Sequence, residues 1–431
     1  MSGPTQPRKR IQQRIQSAQR AWRKRHSPTG MQFVIADSID LVPPAWDHLT
    51  SGSSWLLSRD YLRVLETAGF DDLTPRYAMA FDGSQPIAAV ATQLVRIDGR
   101  RLVPDTKEAS DSGKPGVRGI VQSVRKKSQQ LALSRLRGRI LVCGNLLSWG
   151  QHAVALSPAV SREHAWSAVA EALYRIRRAE RLSGQTDIVM VKDFAADDVA
   201  HECPDGIAEL RDFDYRPMET EPNMVLAIPP DWLSIDDYLN SLASKYRSSA
   251  RKVIRSVETA GIRLTPVDNL HAYQSELNAL YQQVHSRASV RLLRMSPGYL
   301  PALAKAAGER FRCTVAMLED QPVGFITTLK DGDTCIGYFI GFDYQVNARC
   351  PLYFRLLQVC VEDAIRFECR RLSLGRTALE PKAKMGARPE PTAVWLRHRQ
   401  PVLNHFVRRL LSVVPHDEAP ERSPFRKSRD D

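Results

Sequence analysis

Long apolar runs are missing from this sequence. No stretch approaches the roughly 18 consecutive apolar residues that a membrane-spanning helix needs. The basic N-terminus also lacks the apolar core of a secretory signal, so a cytoplasmic protein is expected, one that lies peripheral to the inner face of the membrane wherever its basic segments engage lipid. Cysteines are few and poorly placed for chemistry. Cys143, Cys203, Cys313, Cys335, Cys350, Cys360 and Cys369 are an odd number, scattered, with no CxxC pair and no ligand-spaced histidines. They read as reduced core residues, and no metal is expected. A Walker loop, a GxSxG elbow, an HExxH pair and a dinucleotide-binding glycine fingerprint are all absent. Phosphate-loop, serine-hydrolase, zinc-protease and cofactor redox chemistry are therefore set aside.

Acidic residues are missing from Met1 to Gly30, which holds eight Lys/Arg, and scarce from Arg100 to Arg139, with three against eleven. Together these segments carry +16, more than the +13 of the whole chain, so the remainder is close to neutral. Binding to a polyanion must then rest on them. In the first, Ile11, Ile15, Ala18 and Trp22 recur at helical spacing among arginines, a basic amphipathic pattern. Residues 8–25 and 100–139 are the expected contacts for RNA or an anionic membrane; the plainer alternative is a solvated, disordered arm.

A chain of 431 residues exceeds one ordinary core, so two domains are expected. The pattern predicts a basic arm over 1–31, an N-terminal domain over 32–228 with the basic stretch inserted, a C-terminal domain over 229–414 and a disordered tail over 415–431. QFVIA, PRYAMAF, PIAAVATQLVRI, GRILVCGNLLSW and DIVMVKDF read as strands, and REHAWSAVAEALYRIRRAERLSG as a long amphipathic helix. In the second half, Ser234 and Asp237 form a capping box. From there one helix is predicted through Leu239, Leu242, Tyr246, Ala250, Val253 and Val257, ended by Gly261. The order that follows gives β-α-α-β-β-β-α-β-β. MAFDGSQPIAAVATQLV and AMLEDQPVGFITTLK match as strand, acidic turn, Gln-Pro and strand, which points to two copies of one unit. The fold class is α/β with mixed sheets.

That order, with YLNSLASKYRSSARKVIRSVETAGIRL, GYFIGFDYQ, PLYFRLLQVCVEDAI and LSLGRTALEPKAKMGARPEP, resembles the FemAB-like family of tandem GNAT acyltransferases, well over Tyr238 to Arg409 and weakly over Phe33 to Leu226. The family includes the peptidoglycan-bridge aminoacyl transferases. The resemblance implies two tandem GNAT-like domains and transfer of an acyl or aminoacyl group to an amine by direct attack. The donor is an acyl-CoA thioester or an aminoacyl-tRNA, and the acceptor a small molecule or a cell-envelope precursor. In such folds a central strand, here TCIGYFIGF, splays from its neighbour and offers N–H groups to the oxyanion. The next helix, starting near Pro351, points at donor phosphates. The glycine-rich arginine loop usual at that junction is missing from YQVNARCPLYF, leaving Asn347 and Arg349 as phosphate contacts.

The site is expected between Tyr338 to Asp343 and the loop Gly375 to Pro391. Glu380 is the first candidate base, Asp343 the second, and Tyr338 a further catalytic candidate. Gly375, Arg376, Thr377 and Lys382 are candidate substrate or donor contacts, faced by Arg247 and Arg251 of a basic helical stripe. His285 and Tyr344 read as packing residues. The alternative reading is a catalytically silent GNAT scaffold that binds RNA or an anionic surface through its basic segments. Binding to a polyanion is expected to weaken steeply with salt and to vanish when residues 1–30 and 100–139 are deleted, as checked by filter binding across a salt series.

Overall fold

The computed structural model describes residues 27–70, 72–98, 137–183, 186–195, 207–287, 293–405 and 422–426, with residues 19 and 420. Most of the basic arm, nearly all of the basic stretch and Cys203 lie outside them; at the end of the arm, Thr29 donates to Glu171 and Met31 is buried. The N-terminal half runs β1 (Gln32–Ala36), α1 (Ala45–Thr50), α2 (Arg59–Thr67), β2 (Leu73–Asp82), β3 (Gln85–Asp98), β4 (Arg137–Cys143), β5 (Val154–Leu156), α3 (Arg162–Ser183), β6 (Thr186–Ala195) and β7 (Arg216–Ala227). The C-terminal half opens with α4 (Ile235–Ser241), α5 (Ser244–Thr259), β8 (Arg263–Pro266), α6 (Gln274–Arg287) and α7 (Tyr299–Ala307). It continues with β9 (Phe311–Leu318), β10 (Gln321–Asp331), β11 (Thr334–Phe342), α8 (Tyr344–Arg349), α9 (Leu352–Arg366), β12 (Arg371–Ser373), α10 (Leu379–Lys384) and β13 (Arg388–His398).

Local chemistry explains the elements that the sequence announces. Ser58 caps α2 by accepting from Tyr61 N–H, and Ser234 and Asp237 cap α4 reciprocally. The two repeated hairpins, β2–β3 and β9–β10, turn at residues of positive φ: Gly83, and Glu319 with Asp320. Such turns match the twist of antiparallel strands.

The predicted helix from Ser234 to Gly261 is two helices. Leu242 is extended between them and bridges to Phe425; Ala243 N–H bonds Pro424 O at 2.8 Å, and Arg426 N–H bonds Ser241 O at 3.0 Å. Helical periodicity continues through the break because the competing partner comes from the distant C-terminus. Residues 422–426, expected within a disordered tail, are that partner.

Two separate sheets are expected, but one continuous sheet forms, in the order β1-β2-β3-β4-β6-β13-β7-β12-β11-β10-β9-β8, with β5 beside β3. Each half contributes the same series, and the last strands change places. β13 of the C-terminal half pairs with β6, β7 of the N-terminal half pairs with β12, and β13 and β7 pair with each other. One core packs α3 on the N-terminal part of the sheet, and another packs α4, α5 and α9 on the C-terminal part. A third is shared, bringing Tyr61 and Leu65 of α2 against Leu277 of α6 and Leu303 of α7. The six described cysteines are buried with free thiols. Expressed alone, residues 32–228 lack β13 beside β6 and both partners of β7, so they are expected to be insoluble or unfolded by circular dichroism. Co-expression with residues 229–431 is expected to restore a folded complex.

Candidate active site

Strands β11 and β12 run parallel for only three residue pairs, Thr334 with Arg371 to Ile336 with Ser373. Beyond that, β12 follows β7, since Leu374 N–H bonds Met224 O and Met224 N–H bonds Gly375 O. A bulge falls at the parting. Against β10, Ile340 faces Ile326 and Gly337 faces Thr328, so β11 carries one extra residue there. The Thr327 hydroxyl pins it, accepting from Phe339 N–H at 2.8 Å and donating to Phe339 O at 3.1 Å. Asp343 N–H bonds Val323 O at 2.9 Å. With residues 339 and 343 turned toward β10, alternation turns Ile340 and Phe342 toward the side that β12 has left.

Asp343 caps α8, accepting from Gln345 N–H at 2.7 Å and Val346 N–H at 3.1 Å. That short helix stands at the junction where the sequence lacks a glycine-rich phosphate loop. The Asn347 Oδ1 accepts from Tyr353 N–H at 2.8 Å, which occupies part of the first turn of α9, while Arg349 is exposed. Tyr338, at the bulge, meets the hydroxyls of Tyr299 and Tyr61, and burial pushes its pKa well above the usual tyrosine range.

The loop after β12 is held from the N-terminal half. Gly375 has φ +78°, and a Cβ there would lie 2.3 Å from Trp149 Nε1, so only glycine fits. The Arg376 guanidinium lies over the Trp149 ring, 5.1 Å from its centre, and pairs with the fully buried Asp193 carboxylate. It also donates to Thr392 Oγ1 at 2.9 Å. Lys192 completes the cluster, pairing with Asp193 and donating to Ser148 O at 2.9 Å; burial lowers its pKa against the pull of Asp193. Arg376 is thus committed to joining the halves. Thr377 is exposed.

Glu380 pairs with Arg422 at 2.9 Å and Lys384 at 3.3 Å; chiefly the Arg422 bond holds its carboxyl below the usual range. Arg247 donates to Leu242 O at 3.3 Å and Arg251 to Asn240 Oδ1 at 3.2 Å. His285 stacks on Tyr281, and Tyr344 lies under Arg287, the packing roles expected of them. Sequence reasoning missed Asn145, Trp149, Lys192 and Asp193. Asp193 sits inside what reads as a plain strand, and nothing local shows its positive φ of 63°.

Lys382 is buried, and its Nζ donates to Gly375 O at 3.2 Å. Burial pulls its pKa down to about 7, against the opposing influence of Cys360 and Glu221. Between about 7 and the ordinary lysine value of about 10.4, the unfolded chain holds a proton that the folded chain does not. Stability contributed at this site is therefore lowest below pH 7 and rises with pH through that window. In denaturation curves from pH 6 to 10.5, wild type is expected to gain stability relative to Lys382→Met; parallel curves would show that Lys382 stays charged when folded.

Known proteins place this geometry. The sequence profile described as Acetyltransferase (GNAT) domain matches residues 244–383, which contain β11, its bulge and α9. No curated protein matches the chain. Among solved structures, FemX is 10% identical and superposes over 84% of this chain and 97% of its own, with a TM-score of 0.52. A tandem GNAT protein from the clavulanic acid biosynthesis pathway is 11% identical over 86% and 99%, with a TM-score of 0.49. L-PGS from Bacillus licheniformis is 12% identical over 81% and 95%, with a TM-score of 0.43. Among the described residues no helix is long and apolar enough to cross a membrane. Residues 244–383 therefore match the GNAT acetyltransferase domain model, within a chain that has the fold of FemX.

Proposed function

We propose that the chain transfers an acyl or aminoacyl group from an activated donor to an amine, at the open side of β11. One observation carries the reading: within the GNAT segment, β11 bulges and loses its neighbour at the same residues, which leaves backbone groups beside a cleft. Fixed N–H donors at such a place stabilise the oxyanion of an attacked carbonyl without reorganising. The partly occupied first turn of α9 and the helical α8 favour an aminoacyl-tRNA donor over coenzyme A, whose pyrophosphate needs free amides there. The acceptor is a primary amine on a small molecule or a cell-envelope precursor.

Such an amine is almost wholly protonated at neutral pH. Glu380 is engaged with Arg422 and Lys384, and Asp343 caps α8. We therefore assign the amine's proton to solvent, lost before attack. The test mixes the full chain with labelled aminoacyl-tRNA or acetyl-CoA and a panel of primary amines. Transfer is expected with kcat/KM rising as pH approaches the amine pKa, and Glu380→Gln is expected to match wild type. A Glu380→Gln variant whose kcat falls, with the lower limb of the pH profile removed, would restore the carboxylate as base. Thr327→Val, which frees the bulge, is expected to lower kcat by up to about 10²-fold through misplacement of the donor amides. No transfer from either donor, with polyanion binding intact, would support the silent scaffold instead.

A further inference from the structure

Three hydroxyls meet where the halves touch: Tyr61 of α2, Tyr299 of α7 and Tyr338 of β11. Tyr299 and Tyr338 are 2.6 Å apart, and Tyr61 lies 3.3 Å from Tyr338 and 3.4 Å from Tyr299. Asn145, just past β4, donates its Nδ2 to Tyr61 at 2.7 Å. Its amide cannot be reversed, because Oδ1 accepts from Leu147 N–H at 2.9 Å. Tyr61 therefore accepts from Asn145, and its own proton must go to Tyr299 or Tyr338.

Tyr61 and Tyr299 have no exposed surface, so their protons stay within the triangle, since a buried hydroxyl without a partner is costly. Tyr338 alone has surface exposed. Two arrangements satisfy the buried pair. In one, Tyr338 turns its proton inward, to Tyr61 or to Tyr299, and in either case the Tyr61 oxygen accepts a phenol proton as well as that of Asn145. In the other, Tyr338 accepts from its neighbours and its own O–H points out of the triangle. The Asn145 bond at 2.7 Å takes the stronger acceptor position of Tyr61, and the phenol contacts to that oxygen are the long ones, 3.3 and 3.4 Å, which favours the second.

We infer that Asn145 and Tyr61, both from the N-terminal half, are positioning residues that aim the Tyr338 hydroxyl outward at the carbonyl oxygen of the bound donor. This rests on the reading that transfer occurs beside β11. The amine nitrogen bonds to the carbonyl carbon, and the C=O π pair moves onto oxygen, where it meets the Tyr338 O–H. Collapse re-forms C=O and expels the ribose oxygen or thiolate with its bonding pair. That leaving group takes a proton from solvent, to which the new ammonium gives one up. Because burial holds the phenol protonated, Tyr338 contributes a hydrogen bond and keeps its proton.

Neutron diffraction from deuterium-exchanged crystals of the full chain tests the orientation without any substrate. A Tyr338 deuteron outside the triangle is expected, and one directed at Tyr61 or Tyr299 would overturn the inference. Asn145→Asp keeps the shape and presents an acceptor to Tyr61, which reverses the chain and draws the Tyr338 proton inward. In the transfer assay its kcat is expected to fall about 10²-fold with KM unchanged. It is expected to recover as pH drops and the introduced carboxyl, once protonated, donates again. A loss independent of pH would mean that Asn145 is merely structural. Should that variant fail to fold, Tyr61→Phe serves: reduced kcat at unchanged KM is expected, and wild-type kcat overturns the inference. Wild-type turnover by Tyr338→Phe would overturn the inference even with the outward deuteron confirmed, and wild-type kcat in Thr327→Val as well would reject the placement of the chemistry beside β11.

Discussion

An open sheet edge must be covered or paired, and here the edges left by β6 and β12 are each paired by the other half's last strand. Because β13 and β7 also pair with each other, neither half has a complete sheet alone. Every inter-half feature depends on this exchange. It sets Thr392 of β13 opposite Thr220 of β7 and Ala195 of β6, and so places the Gly375 loop over the end of β6. There the Asp193 carboxylate, with no exposed surface, meets Lys192 and Arg376. A carboxylate so buried is tolerable only with its charge matched and its oxygens bonded. Lys192 supplies that from its own half and Arg376 from the other, so the joint holds only when both halves are in place.

Beside the joint, the segment from Asn145 to His152 links the halves at three points. Asn145 reaches Tyr61 and through it Tyr338; Trp149 fills the space that Gly375 leaves; His152 bonds Ser54 Oγ at 2.8 Å, and that hydroxyl donates to Asp331 of β10 at 2.7 Å. A loop of the N-terminal half thereby fixes both the bulged strand and the loop after β12.

What the sequence shows and what it hides divide along contact range. The hairpin turns at Gly83 and at Glu319–Asp320, the caps at Ser58 and Ser234, and the alternation of β10 and β11 are local, and the pattern carries them. The break at Leu242 depends on Phe425, and β7 depends on strands of the other half; with Glu219, Glu221 and Pro222 inside it, β7 does not read as a strand. Gly375, Arg376 and Lys382 stand out as a polar loop with glycine, yet their partners Trp149 and Asp193 lie far back in the chain. The loop could thus be found from sequence, whereas Arg376's role as a joint could not. Glu380 shows the same limit, since its partner Arg422 lies in what reads as a tail.

The two halves repeat one series of elements but differ at the strand pair on which the proposed chemistry rests. In the N-terminal half, β4 and β6 stay paired through Cys143 and Val191. The next residues remain so close that a Cβ on Gly144 would lie 2.7 Å from the Lys192 Cβ. In the C-terminal half, β11 and β12 part after Ser373, and the bulge turns the freed strand outward. A closed pair has its backbone groups committed to the ladder and none to spare for a substrate carbonyl. Lys192, which lies against Gly144 just past the first pair, is also the residue whose side chain pairs with Asp193 in the joint. The same closure that removes an open edge from the first half anchors the loop that borders the open edge of the second, so the closed strand pair of one copy supports the parted pair of the other.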